Sequence, residues 1–205
     1  DRGGDLPTRM QRYLLAFQWN IDPDGNPNTT WDVPAVCSNS WGHAIGSMPG
    51  GNCDEWYWET LDNMEAAGIC VVFAAGNEGT QGLRNPAVRA TDDLNSFAVG
   101  AVNGNDPEFP IANFSARGPS VCTPDGSEAV KPEVVAPGVS VRSCVPGNGY
   151  NSISGTSMAC PHVAGAVALI KQANPNLAPE QIKQILIDTA SDLGPTGEDN
   201  GYGWG

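Results

Sequence analysis

The run Ile69-Cys-Val-Val-Phe-Ala-Ala75 constrains the fold more than any other stretch of this chain. An amphipathic helix would interrupt it with polar residues every third or fourth position, and a half-exposed strand would alternate. An unbroken apolar run between Gly68 and Gly76 reads instead as a strand buried on both faces. Such strands belong to parallel sheets covered by helices. The helical patterns are present. Met10, Tyr13, Leu14 and Phe17 fall at i, i+3, i+4 and i+7 and predict a helix over 7–19. Asp54 can cap a second helix reaching about Ala67 and ended by Gly68. A third runs from about Ser157 to Ala173; it is apolar on nearly all sides, which predicts burial in the centre of the domain. A fourth starts at Pro179, a favoured first helical position, with Ile182, Ile185, Leu186 and Thr189 as its packing face. Strands are expected over 33–40, 96–102, 111–115, 132–136 and 139–145, with loops at 22–28 and at the Gly-rich 46–52. The fold class is therefore α/β, a mostly parallel sheet flanked by helices.

Charge narrows the partners. The 205 residues carry 23 Asp and Glu against 10 Lys and Arg, a net charge of −13. Phosphate binding needs a basic footprint, so nucleic acid is not the expected partner. No apolar run approaches the ~20 residues of a membrane span. The start, Asp1-Arg-Gly-Gly-Asp5, lacks the basic and apolar regions of a signal peptide, and the end, Glu198 to Gly205, lies in a glycine-rich turn. Both ends read as cuts through a larger domain. Six cysteines permit 15 complete pairings. Cys37 and Cys70 sit in strand-like runs and read as small buried thiols. Cys53, Cys122 and Cys144 lie near turns and are the better disulfide candidates, which tilts the setting toward an oxidising compartment.

The chemistry concentrates in Gly155-Thr-Ser-Met-Ala-Cys-Pro-His-Val-Ala-Gly165. Ser157 follows a glycine turn and opens a helix. There it sits among unpaired backbone N–H groups at the positive end of the dipole, a setting that stabilises charge developing beside its Oγ. An ordinary N-cap serine would read the same way from Gly-Thr-Ser alone. Pro161 lies near the first turn, where its missing N–H costs least. Asn77 ends the buried strand in a glycine turn, so its amide can face a cleft, although alone it reads as a turn residue.

Taken together, these eleven residues resemble the nucleophile motif of the subtilisin-like serine proteases, the subtilases. Other segments resemble the same family in the same order: Ser38-Asn-Ser-Trp-Gly42, Ala74-Ala-Gly-Asn-Glu-Gly79, Asn113-Phe-Ser-Ala-Arg-Gly-Pro119, Lys131-Pro-Glu-Val-Val-Ala-Pro-Gly138 and Asn200-Gly-Tyr-Gly-Trp-Gly205. The Trp-rich 53–58 segment and the wording of Ser38–Gly42 lie nearest the bacillopeptidase F-like branch. The resemblance implies a serine endopeptidase acting on polypeptides, secreted or at the cell surface. Ser157 would be the nucleophile and Asn77 the oxyanion donor. Ser40, Trp41 and Gly42, with Ala74, Ala75 and Gly76, would form the two walls of the main specificity pocket, offering backbone groups to an extended peptide. Trp41 would narrow or cap an apolar subsite, and Glu78 would favour a basic side chain. No cofactor is required; a structural calcium is compatible with the oxygens of Asp92, Asp93, Asp106 and the 22–28 loop, without a named ligand.

The family's Asp and His motifs, normally upstream, are not in this sequence. His162 cannot replace the base: five positions along the helix of Ser157, it points roughly 140° away and lies about 7.5 Å further along the axis. It reads as a packing residue of the motif, and His43 as a residue beside the pocket wall. An esterase elbow of the Gly-x-Ser-x-Ala kind would need an Asp and then a His downstream; His162 is the only later histidine and no Asp lies between Ser157 and it. Residues 1–205 are thus expected to be the nucleophile and oxyanion half of a subtilase catalytic domain. The N-terminal part would be the missing partner, and this chain alone would be inactive. The competing reading is a pseudoprotease that binds peptides without cutting them.

Overall fold

The computed structural model describes residues 6–44, 46, 53–92 and 94–205. Its elements, in chain order, are α1 (Leu6–Ile21), β1 (Val36–Asn39), α2 (Trp58–Ala66), β2 (Cys70–Ala74), β3 (Phe97–Val102), β4 (Val134–Pro137), β5 (Val141–Val145), β6 (Gly149–Ile153), α3 (Thr156–Ala173) and α4 (Pro179–Thr189). Strands β1 to β4 form a parallel sheet in that order, with Val36 opposite Cys70, Val72 opposite Phe97 and Val99 opposite Val134.

Every residue of β2 is buried. Successive side chains point to opposite faces of a strand, so β2 feeds cores on both sides of the sheet. Val71, Phe73 and the following Ala75 pack with Met10, Phe17, Leu61 and Met64 of α1 and α2. Val72 and Ala74 pack with Ala159, Cys160 and Val163 of α3. Cys70 meets Val167 of α3 and Ile182 of α4. The expected α/β architecture with its parallel sheet is therefore present.

Several local expectations need correction. The strand over 33–40 shrinks to Val36–Asn39, because Pro34 has no N–H to give a ladder. Helix α2 starts at Trp58 rather than after Asp54, whose Oδ1 instead accepts the Trp56 N–H (3.2 Å) and caps a turn; Gly68, with φ +91°, does follow the helix end. No strand forms over 111–115. Ile111 makes one bridge to Val102, after which Ser115 N–H turns back to Ala112 and Ser115 Oγ accepts from Ala101 N–H (2.9 Å). Strand β6 was not expected; a turn through Gly147 and Asn148 pairs it antiparallel with β5. Helix α3 is not buried all round. Its inner face lies on the sheet, while Pro161, His162, Gly165, Ala168 and Leu169 are exposed, Leu169 at 67%. The Gly-rich loop predicted at 46–52 lies, apart from Gly46, outside the described residues.

Two buried ion pairs tie elements together, one beside β3 and one between α4 and α2. Lys131 pairs with Glu133, whose carboxylate also accepts the Ala98 N–H (2.6 Å). Lys183 of α4 pairs with Glu65 of α2 at 2.7 Å and donates to Leu94 O, while Glu65 accepts the Val71 N–H (2.8 Å). Burial pushes both carboxyl groups above their usual range, against the pull of the lysines.

Cys53 and Cys122 form a disulfide across 69 residues of sequence. Cys144, also expected as a candidate, is a free and exposed thiol on β5. Cys37 is half-buried; Cys70 and Cys160 are buried, and burial raises both thiols, Cys70 to about 12.

Replacing both Cys53 and Cys122 by serine is expected to lower unfolding free energy by about 2–4 kcal/mol, read by urea denaturation with and without reductant; an unchanged midpoint would contradict this. A thiol reagent at pH 8 should modify Cys144 first and reach Cys70 and Cys160 only on unfolding. The Cys70 thiol ionises near 9 when unfolded and about 12 when folded. The unfolded chain therefore loses that proton first, and Cys70 subtracts stability as pH rises from 9 toward 12.

Candidate active site

In open α/β sheets, sites form beyond the carboxyl ends of the strands. Here β1 runs out at Ser40-Trp41-Gly42 and β2 at Ala75-Gly76-Asn77, and α3 begins between them. Thr156, the first residue of α3, makes the join. Its N–H donates to Asn77 Oδ1 (2.9 Å); its Oγ1 accepts the Gly76 N–H (3.2 Å) and lies 3.0 Å from Asn77 Oδ1. A backbone N–H can only donate, so this bond fixes the amide oxygen of Asn77. Its Nδ2 is left without a partner among the described residues, on an exposed side chain next to Gly155. Gly76 turns the chain there with φ +122°, and a Cβ would come within 2.6 Å of Glu78 Oε2.

Ser157 is the second residue of α3, where backbone N–H groups have no partner one turn back. It is half-buried, and its Oγ donates to Ser40 O (3.3 Å). Ser40 returns the contact: its Oγ donates to Ser157 O at 2.9 Å. Pro161 explains why that carbonyl is available. Four residues on from Ser157, and in the second turn rather than the first, it has no N–H to close the helix ladder onto Ser157. The free acceptor goes to Ser40, binding the end of β1 to α3. Ser157 also faces an open groove of about 320 Å³ with Met158, Pro161 and His162 on one side and Val141, Arg142 and Ser143 of β5 on the other.

No imidazole or carboxylate bonds to Ser157 Oγ among the described residues. His162 is exposed rather than packed, and its Nδ1 lies 2.8 Å from Met158 O on its own helix. The His43 backbone pairs with Asn85 (2.8 and 3.0 Å), and its ring lies parallel to Tyr57 with Nε2 3.3 Å from Tyr57 Oη. Burial, reinforced by Asp54, pushes the Tyr57 hydroxyl well above its usual range.

Two readings of the pocket walls change. The Trp41 ring does not cap a subsite. It stacks on Tyr13 (4.3 Å between centroids, 9° between planes), meets Tyr57 and Phe73 edge-on, and donates through Nε1 to Asn39 Oδ1 (3.1 Å). The ring anchors its wall to the core. Glu78 is not free for a basic substrate side chain either. It accepts the Asn77 N–H through Oε2 (2.8 Å) and pairs with Arg84 through Oε1. The opposite wall is enclosed: Ala74 and Gly76 are buried, Ala75 fully so. Arg84 and Thr156 are thus the site residues that sequence reasoning passed over. Thr156 lay inside the serine motif, but Arg84 sits in a loop without any signal.

The acidic loops considered for calcium use their carboxylates on their own turns. Asp24 accepts from Asn26 N–H (2.9 Å), Asp92 from Leu94 N–H (2.8 Å) and Asp106 from Glu108 N–H (3.0 Å); Asp93 lies outside the described residues. Among the described residues no three His, Cys, Asp or Glu side chains converge as metal ligands. No helix of the described residues is long and apolar enough to cross a membrane.

Residues 14–205 match the Subtilase family, Peptidase_S8. The chain is 39% identical to Bacillopeptidase F of Bacillus subtilis (strain 168) over 206 residues, covering 94% of this chain and 13% of that protein. It is 41% identical to Alkaline elastase YaB of Bacillus sp. (strain YaB), covering 75% of this chain and 35% of the relative. It is also 41% identical to Subtilisin BL of Lederbergia lenta, covering 72% and 47%. The chain spans less than half the length of each of these relatives. The structure of Sphericase superposes with a TM-score of 0.74 at 24% identity, over 96% of this chain and 62% of that one, a likeness of fold. With a serine at the head of a helix, an asparagine fixed beside it and a match over nearly the whole chain, the protein belongs to the subtilase family.

Proposed function

We propose that the protein works as a serine endopeptidase with Ser157 as nucleophile and Asn77 as oxyanion donor. The observation that carries this reading is the fixed amide of Asn77, whose oxygen is taken by Thr156 and whose nitrogen is uncommitted at the head of the Ser157 helix. In the first step Ser157 Oγ adds to the scissile carbonyl carbon and gives up its proton to a base. The carbonyl oxygen becomes an anion, held by Asn77 Nδ2 and the Ser157 N–H with the helix dipole behind them. Collapse breaks the C–N bond; the amine leaves with the proton and the acyl group stays on Oγ. Water then repeats the sequence and releases the acid. The backbones of Ser40, Trp41 and Gly42 and of Ala74, Ala75 and Gly76 flank an extended polypeptide. In this reading the chemistry draws on side-chain and backbone groups of the protein and calls on no cofactor.

The base and the carboxylate that orients it belong, in this reading, to a part of the domain outside these 205 residues. Three features of the described residues support this: Ser157 Oγ rests on a carbonyl, β1 pairs only with β2 and so lies at the sheet edge, and the outer face of α3 is exposed. An extracellular or cell-surface setting is supported by the Cys53–Cys122 bridge.

A fluorophosphonate probe should label the full-length protein at Ser157, and Ser157→Ala should abolish both labelling and peptide cleavage. Binding of peptides without Ser157-dependent cleavage would instead identify a pseudoprotease. Asn77→Ala is expected to reduce kcat about 10²–10³-fold with little change in KM, subtilisin itself being the reference case for that magnitude. The 205-residue chain alone should show no measurable turnover, since loss of the base costs about 10⁶ in kcat in that same enzyme. Clear Ser157-dependent cleavage by the isolated chain would overturn the assignment of the base to another segment.

A further inference from the structure

We infer that Arg84 sets the size of the pocket for the substrate residue on the acyl side of the scissile bond, and that this pocket takes a small uncharged side chain. The inference rests on the endopeptidase reading above, which makes the ends of β1 and β2 the two walls of that pocket. Arg84 spans them. Its N–H donates to Ala75 O on one wall (3.0 Å), and its Nη1 donates to Gly42 O on the other (3.2 Å). Its Nε donates to Glu78 Oε1 (2.8 Å), and Nη2 pairs with the same oxygen.

The two glycines show how completely the gap is filled. A Cβ added at Gly42 would lie 2.7 Å from Arg84 Cβ and 3.3 Å from its Cδ. One added at Gly76 would lie 3.1 Å from Arg84 Cγ and 2.6 Å from Glu78 Oε2. The methylenes of Arg84 therefore touch both walls where each lacks a side chain. Yet the Arg84 and Glu78 side chains keep 40% and 26% of their surface exposed, and in this reading that surface is the floor of the pocket between the two walls.

That floor selects by size and by charge. A large apolar side chain would collide with the arginine stem and strip water from an ion pair without replacing its hydrogen bonds. An acidic side chain would meet Glu78, and a basic one Arg84. Alanine or serine reaches neither. Because Oε2 of Glu78 also holds the Asn77 N–H, the same pair positions the segment that carries the oxyanion donor.

The test uses the full-length protein and peptides differing only in the residue before the scissile bond. Native protein should cleave the Ala peptide with a kcat/KM at least about tenfold above the Phe, Glu and Lys peptides. Arg84→Gly should move the Phe-to-Ala ratio at least tenfold toward Phe. Glu78→Gln, leaving Arg84 as a single charge, should move the Glu-to-Ala ratio by a similar factor toward Glu. A native preference for Phe, or ratios unmoved in both variants, would overturn the inference. A binding measurement in the Ser157→Ala background does not depend on turnover. Calorimetry with peptides ending in Ala or Phe should show the same inversion on Arg84→Gly, and equal affinities in both backgrounds would also overturn it. If the native protein shows no Ser157-dependent hydrolysis, the endopeptidase reading fails while this arm still decides the pocket. Arg84→Ala, which keeps a Cβ, supplies the smaller opening should the glycine variant fold poorly.

Discussion

Strand β2 has no face it can turn to water, and that constraint organises the rest of the molecule. Neighbouring strands cover its edges, α1 and α2 one face, and α3 and α4 the other. A strand so enclosed is packed on every side, and the chain leaves the sheet in a sharp turn. It does so at Gly76, the residue type that tolerates the positive φ required. Asn77 is thus delivered just past a fully buried strand, which suits a group meant to wait in place for a developing charge.

The head of α3 meets that strand end through reciprocal bonds rather than through apolar contact alone. Thr156 fixes the amide of Asn77, and Ser40 and Ser157 exchange hydroxyl–carbonyl bonds. The second exchange exists because Pro161 withholds a donor from the helix. A proline that costs stability in most helices here frees an acceptor for the neighbouring strand. The nucleophile is held by the sheet on one side and by its own helix on the other. The pocket wall carrying Ser40 is in turn fixed to the core by the Trp41 ring.

Much of this was legible in the sequence where one local force dominates. The seven-residue apolar run announced β2, the i, i+3, i+4, i+7 spacing announced α1, and Pro179 marked the start of α4. The motif at 155–165 brought Ser157 to the head of a helix and the strand end brought Asn77 beside it. What escaped notice depends on partners remote in the chain. The exposed side of α3 carries Ala168 and Leu169 while its buried side carries Ala159, Val163, Ala164 and Val167, so apolar composition could not separate the two. Residues 111–115 have strand-like chemistry, but Ser115 spends its hydroxyl on Ala101. Glu78 looked available because its partner Arg84 is six residues away in a featureless loop. The Trp41 ring looked like a subsite lid because the helix that stacks on it begins far upstream. Cys144 resembled Cys53 in its turn-rich surroundings, and only the approach of Cys122 distinguishes the two.

The pair of Lys183 and Glu65 carries a consequence for how such a chain can be assembled. The partners lie 118 residues apart, on helices from opposite faces of the sheet, and Glu65 also caps the start of β2 through Val71. During synthesis from the amino terminus, α1, α2 and β2 emerge long before α4. Without α4, Glu65 would lack its Lys183 partner, and Cys70 of the central strand would lose the cover of Ile182. The two halves of the core therefore gain their stability together, and a chain cut short before α4 would leave a charge at the edge of an open sheet. The strand that defines the fold is thus completed by a helix that lies far downstream in the chain.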